Sequence, residues 1–251
     1  MTDPYTLILS PHLDDAIFSA SHAFDRGSTM VITVFTGEGD TNGLNGDYAL
    51  YADMKTRKRE DSYAMRMMPG TVLPIYLDLP DKLFRKDDDE VRRRLKEGLQ
   101  QYATQYRFDK IYCPLGVGEH PDHLLVYEVA RTVFSEMLYY CEYPYSNISL
   151  NLRRRCAATE RLPWLSAVKQ YYTHPIYQST PWYVRAYRII TGLRPAAVLP
   201  GRLEAHPAGG RKFAAMLCYE TQIKPIFGSR ESLERELSQY KNEYTYEINK
   251  E

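Results

Sequence analysis

The stretch Thr6-Leu7-Ile8-Leu9-Ser10-Pro11-His12-Leu13-Asp14-Asp15 passes from an apolar run into a polar hexad, and Ala16 to Arg26 then carries a helix-like pattern. An open α/β sheet places its ligands in the crevice outside the carboxyl ends of its strands, which is where these polar groups fall. A second cluster, Glu119-His120-Pro121-Asp122-His123, again follows an apolar strand-like run, Lys110 to Pro114. If the two strands are neighbours, the two clusters meet.

Outward from the hexad, the first 140 residues alternate strand and helix patterns. Thr6 to Ser10 reads as a buried strand, and Gly27 stands where the first helix stops. Met30 to Phe35 is β-branched and apolar, hence a central strand. It runs into Thr36-Gly37-Glu38-Gly39-Asp40, where two glycines would let the backbone approach a ligand, and then into a loop whose Asn42 and Asn45 suit a lid. A charged helix is expected from Tyr48 to Met68, ended by Pro69-Gly70, with a strand over Val72 to Leu77. A second charged helix follows over Asp87 to Tyr106, then a strand over Phe108 to Pro114. Pro121 to Leu138 reads as a helix and Tyr139 to Tyr143 as a fifth strand. Strands separated by helices imply a Rossmann-like, mostly parallel, doubly wound α/β sheet with right-handed crossovers.

Beyond Tyr145 the regularity breaks down. A helix is expected around Trp164 to Tyr172, a hairpin around Gly192, and helices over Arg211 to Tyr219 and Glu231 to Tyr240. The basic run Arg153-Arg154-Arg155 lies in this half. The expectation is one domain, 1–251, with a core of about 5–145 and a C-terminal region of about 146–251 packed as an excursion over the ligand edge.

Composition narrows the function classes. The 32 basic and 32 acidic side chains cancel, so no global field favours nucleic acid or an anionic membrane. No membrane span or signal peptide is expected near the N-terminus. Cys113, Cys141, Cys156 and Cys218 form no C-x-x-C pair and read as buried free thiols of a cytoplasmic protein. Twenty-two tyrosines suit either amphipathic packing or a ligand groove.

His12 and Asp15, separated by two residues across a strand-to-helix turn, can share one cavity, and His123 completes a set of two imidazoles and a carboxylate. That is the donor set of catalytic zinc, with a coordination position left for water, though Fe2+ accepts similar ligands. Asp14 is placed to take a proton from the water, and His120 to donate one or hold an oxyanion. The duller reading is that Asp14 or Asp15 caps the helix. A cap, however, does not require histidines on another strand.

These residues resemble the LmbE-like (PIG-L) zinc-dependent N-deacetylases. Ser-Pro-His12-Leu-Asp14-Asp15 is similar to their first motif, written His-Pro-Asp-Asp, and His120-Pro-Asp-His123 to their second. Pro114 to Gly118 and, more weakly, Lys212 to Gln222 also fit. The resemblance implies His12, Asp15 and His123 as zinc ligands and Asp14 as general base. His120 would stabilise the tetrahedral oxyanion in protonated form and hand a proton to the amine. It further implies Arg57 and Asp81 as substrate contacts. The implied reaction is metal-dependent removal of an N-acetyl group from an N-acetylglucosamine-type sugar or glycoconjugate. Leu13 in place of the usual proline and Ala16 in place of glutamate point to a different branch and substrate.

The alternatives are a metal-dependent amidase acting on a non-sugar or thiol-conjugate amide, and a non-catalytic carbohydrate-binding module on the same fold. A non-haem iron oxygenase fits less well, since its first ligand pair is usually separated by one residue rather than two. Homo-oligomerisation stays open.

Overall fold

A computed structural model describes residues 3–24, 27–39, 52–156, 164–173, 186, 189 and 199–248. The loop with Asn42 and Asn45, and the hairpin expected around Gly192, lie outside them.

The described elements are β1 (Tyr5–Ser10), α1 (Asp15–Ser19), β2 (Ser28–Thr33), α2 (Met54–Arg66), β3 (Thr71–Tyr76), α3 (Asp88–Gln105), β4 (Phe108–Pro114), α4 (Pro121–Val133) and β5 (Leu138–Tyr140). They continue with α5 (Ser149–Arg155), α6 (Trp164–Thr173), β6 (Gly201–Pro207), α7 (Gly210–Met216), α8 (Glu220–Phe227), α9 (Arg230–Gln239) and β7 (Asn242–Ile248). One seven-stranded sheet runs β3-β2-β1-β4-β5-β7-β6. The first five strands are parallel, while β7 and β6 join antiparallel.

β1 lies at the centre of the five parallel strands because it is apolar on both faces. Leu7 and Leu9 pack with Val91, Leu95 and Leu99 of α3 and Val126 and Ala130 of α4. Ile8 turns the other way, toward Ile17, Phe18, Met216 and Tyr219. Helices on both faces of a parallel sheet make the arrangement doubly wound, as the alternating pattern predicts. Local chemistry sets the helix starts. Asp87 caps α3 by accepting from the amides of Asp89 and Glu90 at 2.9 and 3.2 Å, ahead of the acidic first turn Asp88-Asp89-Glu90.

Three expectations need correction. The helix after the hexad is not Ala16 to Arg26. It stops at Ser19 and gives way to a 3₁₀ turn over Ser21–Ala23, because the amides of Ser21 and His22 are taken by Glu243. The helix in the second cluster ends at Val133, since Phe134 is extended and Leu138 already pairs with Tyr112. The C-terminal region is also more than an excursion, as β7 and β6 extend the sheet itself. Of the cysteines, Cys113, Cys141 and Cys156 are buried, Cys218 is half-buried, and all four are free. Tyr140, Tyr171, Tyr219 and Tyr246 are fully buried, so much of the described tyrosine content is packing. No helix among the described residues is long and apolar enough to cross a membrane.

Candidate active site

β1 and β4 pair directly, so the loops leaving their carboxyl ends face each other. In the first loop, Ser10 Oγ donates to the His12 carbonyl at 2.6 Å and accepts from the Ala16 amide at 3.1 Å. The His12 amide donates to Asp15 Oδ2 at 2.8 Å. These bonds fold the hexad so that His12 and Asp15 share one side of the turn. Asp14 stands at the N-cap position of α1, yet its side chain makes no capping hydrogen bond. The capping explanation for this carboxylate therefore fails.

Three donor atoms converge. His12 Nδ1 lies 3.3 Å from Asp15 Oδ2, His123 Nε2 lies 3.3 Å from the same oxygen, and the two nitrogens are 3.3 Å apart. Tetrahedral zinc at about 2.0–2.1 Å from nitrogen and oxygen ligands requires donors roughly 3.3–3.4 Å from one another. The triangle therefore has the size and chemistry for such an ion.

The opposite nitrogen of each imidazole faces carboxylate. His12 Nε2 is 3.1 Å from Asp122 Oδ2 and 3.3 Å from Asp81 Oδ2. His123 Nδ1 is 3.2 Å from Glu142 Oε1. A metal-binding histidine typically gives its other N–H to such a partner, which fixes ring and tautomer. Glu142 also accepts from the amides of Gly116 and Val117 at 2.6 and 2.9 Å, tying the second loop to the end of β5.

His12 further groups with His120 and His123, and with Asp81 and Asp122, as potential cation donors. The Asp81–Asp122 side is the poorer cation site, because Asp122 already pairs with the Arg85 guanidinium and accepts from the Lys82 amide at 3.2 Å. Arg85 also lies over the Phe35 ring.

Electrostatics agree with a site built for positive charge. Burial opposes ionisation of Asp15, yet His123 and His12 hold its carboxyl well below the usual range. Burial works against charge on His123 too, but Asp15 and Glu142 carry it up to about 9. Asp14 shifts the other way, raised by burial and by the charge of Asp15 against the pull of Arg57 and His12. His120 is pushed down to about 3 by burial and by the neighbouring His123 and His12. This shift favours the uncharged imidazole. Its Nδ1 accepts from the Asp122 amide at 3.3 Å, so the proton resides on Nε2.

Thus His12, Asp14, Asp15, His120 and His123 come together. Arg57 and Asp81 are buried as well, 1% and 2% exposed. The Arg57 charge acts on Asp14, and Asp81 faces His12. Gly37 and Gly39 approach protein, not ligand. A Cβ at Gly37 would lie 2.8 Å from the Asp78 carbonyl oxygen, and one at Gly39 would collide with the Phe84 ring. Sequence reasoning passed over Asp122, Glu142 and Arg85 as contributors. Two signals were available: Asp122 lies inside the second cluster, and Glu142 is an acidic residue directly after the apolar run Tyr139-Tyr140-Cys141.

The family profile described as PIG-L, GlcNAc-PI de-N-acetylase, matches residues 7–134. No curated protein matches the chain in sequence. Among solved structures, the A40926 pseudoaglycone deacetylase Dbv21 superposes with a TM-score of 0.67 at 18% identity, covering 97% of this chain and 96% of its own. The zinc-inhibited form of the teicoplanin deacetylase Orf2 gives 0.65 at 15% identity, covering 98% and 99%. A conserved protein from Thermus thermophilus gives 0.51 at 14% identity, covering 98% and 94%.

Proposed function

Because this chain belongs to the PIG-L family, we propose that it is a metal-dependent deacetylase that removes an N-acetyl group from an N-acetylglucosamine-type sugar or glycoconjugate. The observation that carries this reading is the 3.3 Å triangle of His12 Nδ1, Asp15 Oδ2 and His123 Nε2 beside an uncapped Asp14.

In this reading His12, Asp15 and His123 hold zinc, with Fe2+ acceptable to the same donors. Zinc there supplies Lewis acidity and brings the pKa of a water down to about 7. Asp14 takes the proton of the attacking water as general base, a task suited to a carboxylate whose pKa is raised toward the working pH. His120 acts as a neutral donor from Nε2–H toward the oxygen of the tetrahedral carbon, as the bond from the Asp122 amide to its Nδ1 dictates. The amine departs with the proton that Asp14 has collected. Asp81 and Asp122 orient His12, Glu142 orients His123, and Arg57 balances the charge of Asp14. Any contact of Arg57 or Asp81 with substrate is made from these buried positions.

The test is acetate release across N-acetylhexosamines with different anomeric groups. The panel also includes teicoplanin and the A40926 pseudoaglycone, the compounds named for two deacetylases of similar fold. Release from at least one member is expected, lost on chelation and restored by zinc. Asp14→Asn is expected to lower kcat by about a hundredfold or more, the usual scale of general-base catalysis, with zinc still bound. Full activity in that variant would remove Asp14 from its role. Chelator-insensitive release would remove the metal.

A further inference from the structure

α1 is five residues long, far too short to hold itself helical in water, yet Asp14 and Asp15 stand at its start. Its geometry has to be imposed from outside. The Phe18 amide donates to the Asp14 carbonyl at 2.9 Å, and the Phe18 carbonyl accepts from Lys212 Nζ at 2.6 Å. One residue therefore links the backbone of the proposed base to a lysine of α7, nearly two hundred residues along the chain.

Lys212 is 2% exposed and pairs at 2.6 Å with Glu243 of β7, itself fully buried. The ammonium also lies over the Tyr240 ring, 4.4 Å from its centroid. Glu243 reaches the other end of the same segment. It accepts from the Ser21 amide and hydroxyl at 3.2 and 2.6 Å and from the His22 amide at 2.8 Å, with His22 Nδ1 at 2.5 Å. The pair thus satisfies the orphan carbonyl at the C-terminal end of α1 and the amides that would otherwise prolong the helix.

Stability alone accounts poorly for such an arrangement. A buried ion pair loses the hydration of both charges, and apolar replacements of similar volume are often neutral or stabilising. What the pair specifies is direction. Two charged groups, each with several fixed partners, allow one axial position and one roll of α1, which sets where the Asp14 and Asp15 carboxylates point.

We propose that Lys212 and Glu243 are positioning residues of the active site, acting through Phe18 and the Ser21-His22 turn to aim Asp14 and Asp15. The proposal rests on the deacetylase reading for its kinetic arm and on the metal triangle for its binding arm. The test uses the full chain with Lys212→Met and Glu243→Gln, singly and combined. Zinc affinity is measured by competition with a chromophoric chelator, and kcat and KM at saturating zinc on a substrate the wild type deacetylates. A sub-ångström to ångström misplacement of a catalytic group predicts a loss of about tenfold in kcat with KM nearly unchanged. Zinc affinity is expected to fall by roughly tenfold, as for other groups that orient ligands. In an Asp14→Asn background, Lys212→Met is expected to lower kcat no further.

Unchanged zinc affinity and kcat alongside a lowered Tm would show the pair to be structural and would overturn the proposal. Additive losses in the Asp14→Asn background would overturn the link to Asp14. If Lys212→Met fails to fold, Glu243→Gln, which keeps the size of the side chain and an acceptor for one of the Ser21 and His22 amides, carries the same comparison. If the wild type binds zinc but deacetylates nothing, the deacetylase reading fails while the affinity comparison still decides this one. Absence of zinc binding by the wild type would overturn both.

Discussion

The two loops that meet at the donor triangle of His12, Asp15 and His123 are held in different ways. The loop after β1 contains no glycine. It folds on bonds from Ser10 and Asp15 and depends for its exit on Lys212 and Glu243 from the far end of the chain. The loop after β4 makes left-handed turns at Gly116, Gly118 and Glu119, with φ of 83°, 88° and 59°. Partners nearer in sequence fix it: Glu142 on the Gly116 and Val117 amides, Arg155 on the Leu115 carbonyl, and Arg154 on Glu119. The first loop carries two adjacent carboxylates and must manage repulsion. The second carries two imidazoles and must manage backbone strain. Their histidines differ in the same sense, since His12 has two carboxylates behind it and His123 has Glu142, which also anchors the loop.

That asymmetry predicts the largest effect. Glu142→Gln removes the charge behind His123 and unsettles the Gly116-Val117 amides together, so zinc affinity is expected to fall by about 10–100-fold. Asp81→Asn is expected to cost less, because Asp122 still faces His12 Nε2 at 3.1 Å. Chelator competition on the two variants measures both. Equal losses would show that the rings are held alike and would break the comparison.

Strain gives the next effect. A Cβ at Gly118 would collide with the Tyr145 ring, and the left-handed backbone there adds a cost of its own. Gly118→Ala is expected to destabilise the fold by about 1–3 kcal/mol, read from urea unfolding, whereas the first loop has no position of this kind. A neutral Gly118→Ala would mean that Tyr145 and the turn yield together.

How far the sequence disclosed this arrangement follows from the same physics. β1, most of β2 and the second half of β4 were legible because chain buried on both faces is largely apolar, and the polar clusters follow the runs in β1 and β4. His12, Asp14, Asp15, His120 and His123 were legible through their spacing. β6 and β7 were not. Gly201–Pro207 and Asn242–Ile248 join one edge of the sheet, where polar residues such as Arg202, Glu204 and Glu247 stay exposed, so no apolar run marks them. Nothing in the sequence paired Lys212 with Glu243, because a buried ion pair announces itself only when its partners are seen together. The shortened α1 was missed for the same reason, as its stop signal lies in the Glu243 carboxylate and not in the local sequence.

The smallest predicted effect concerns the charge that the first loop gathers. Asp61 of α2 is fully buried and accepts from the hydroxyls of Tyr219 and Tyr76 at 2.7 and 3.0 Å. Burial nevertheless raises its pKa from 3.8 to about 8, with the charge of Asp14 adding to the rise and the two tyrosines and Arg57 opposing it. A carboxyl whose folded pKa exceeds its unfolded value binds a proton on folding. Its contribution to stability is complete below about pH 4 and is lost as pH rises through about 8. The Tm of the wild type is therefore expected to fall between about pH 5 and pH 8.5. Asp61→Asn, neutral throughout and still able to accept from a tyrosine hydroxyl, should show a flatter profile and lie a few degrees higher at the alkaline end. Beside the second loop, burial likewise works against ionisation of Asp122, but its partners His12, His120 and Arg85 hold it well below the usual range. Parallel Tm profiles for wild type and Asp61→Asn would place Asp61 in its ionised form, with Arg57 as the counter-charge shared between it and Asp14. The repulsion attributed to the first loop would then be already neutralised.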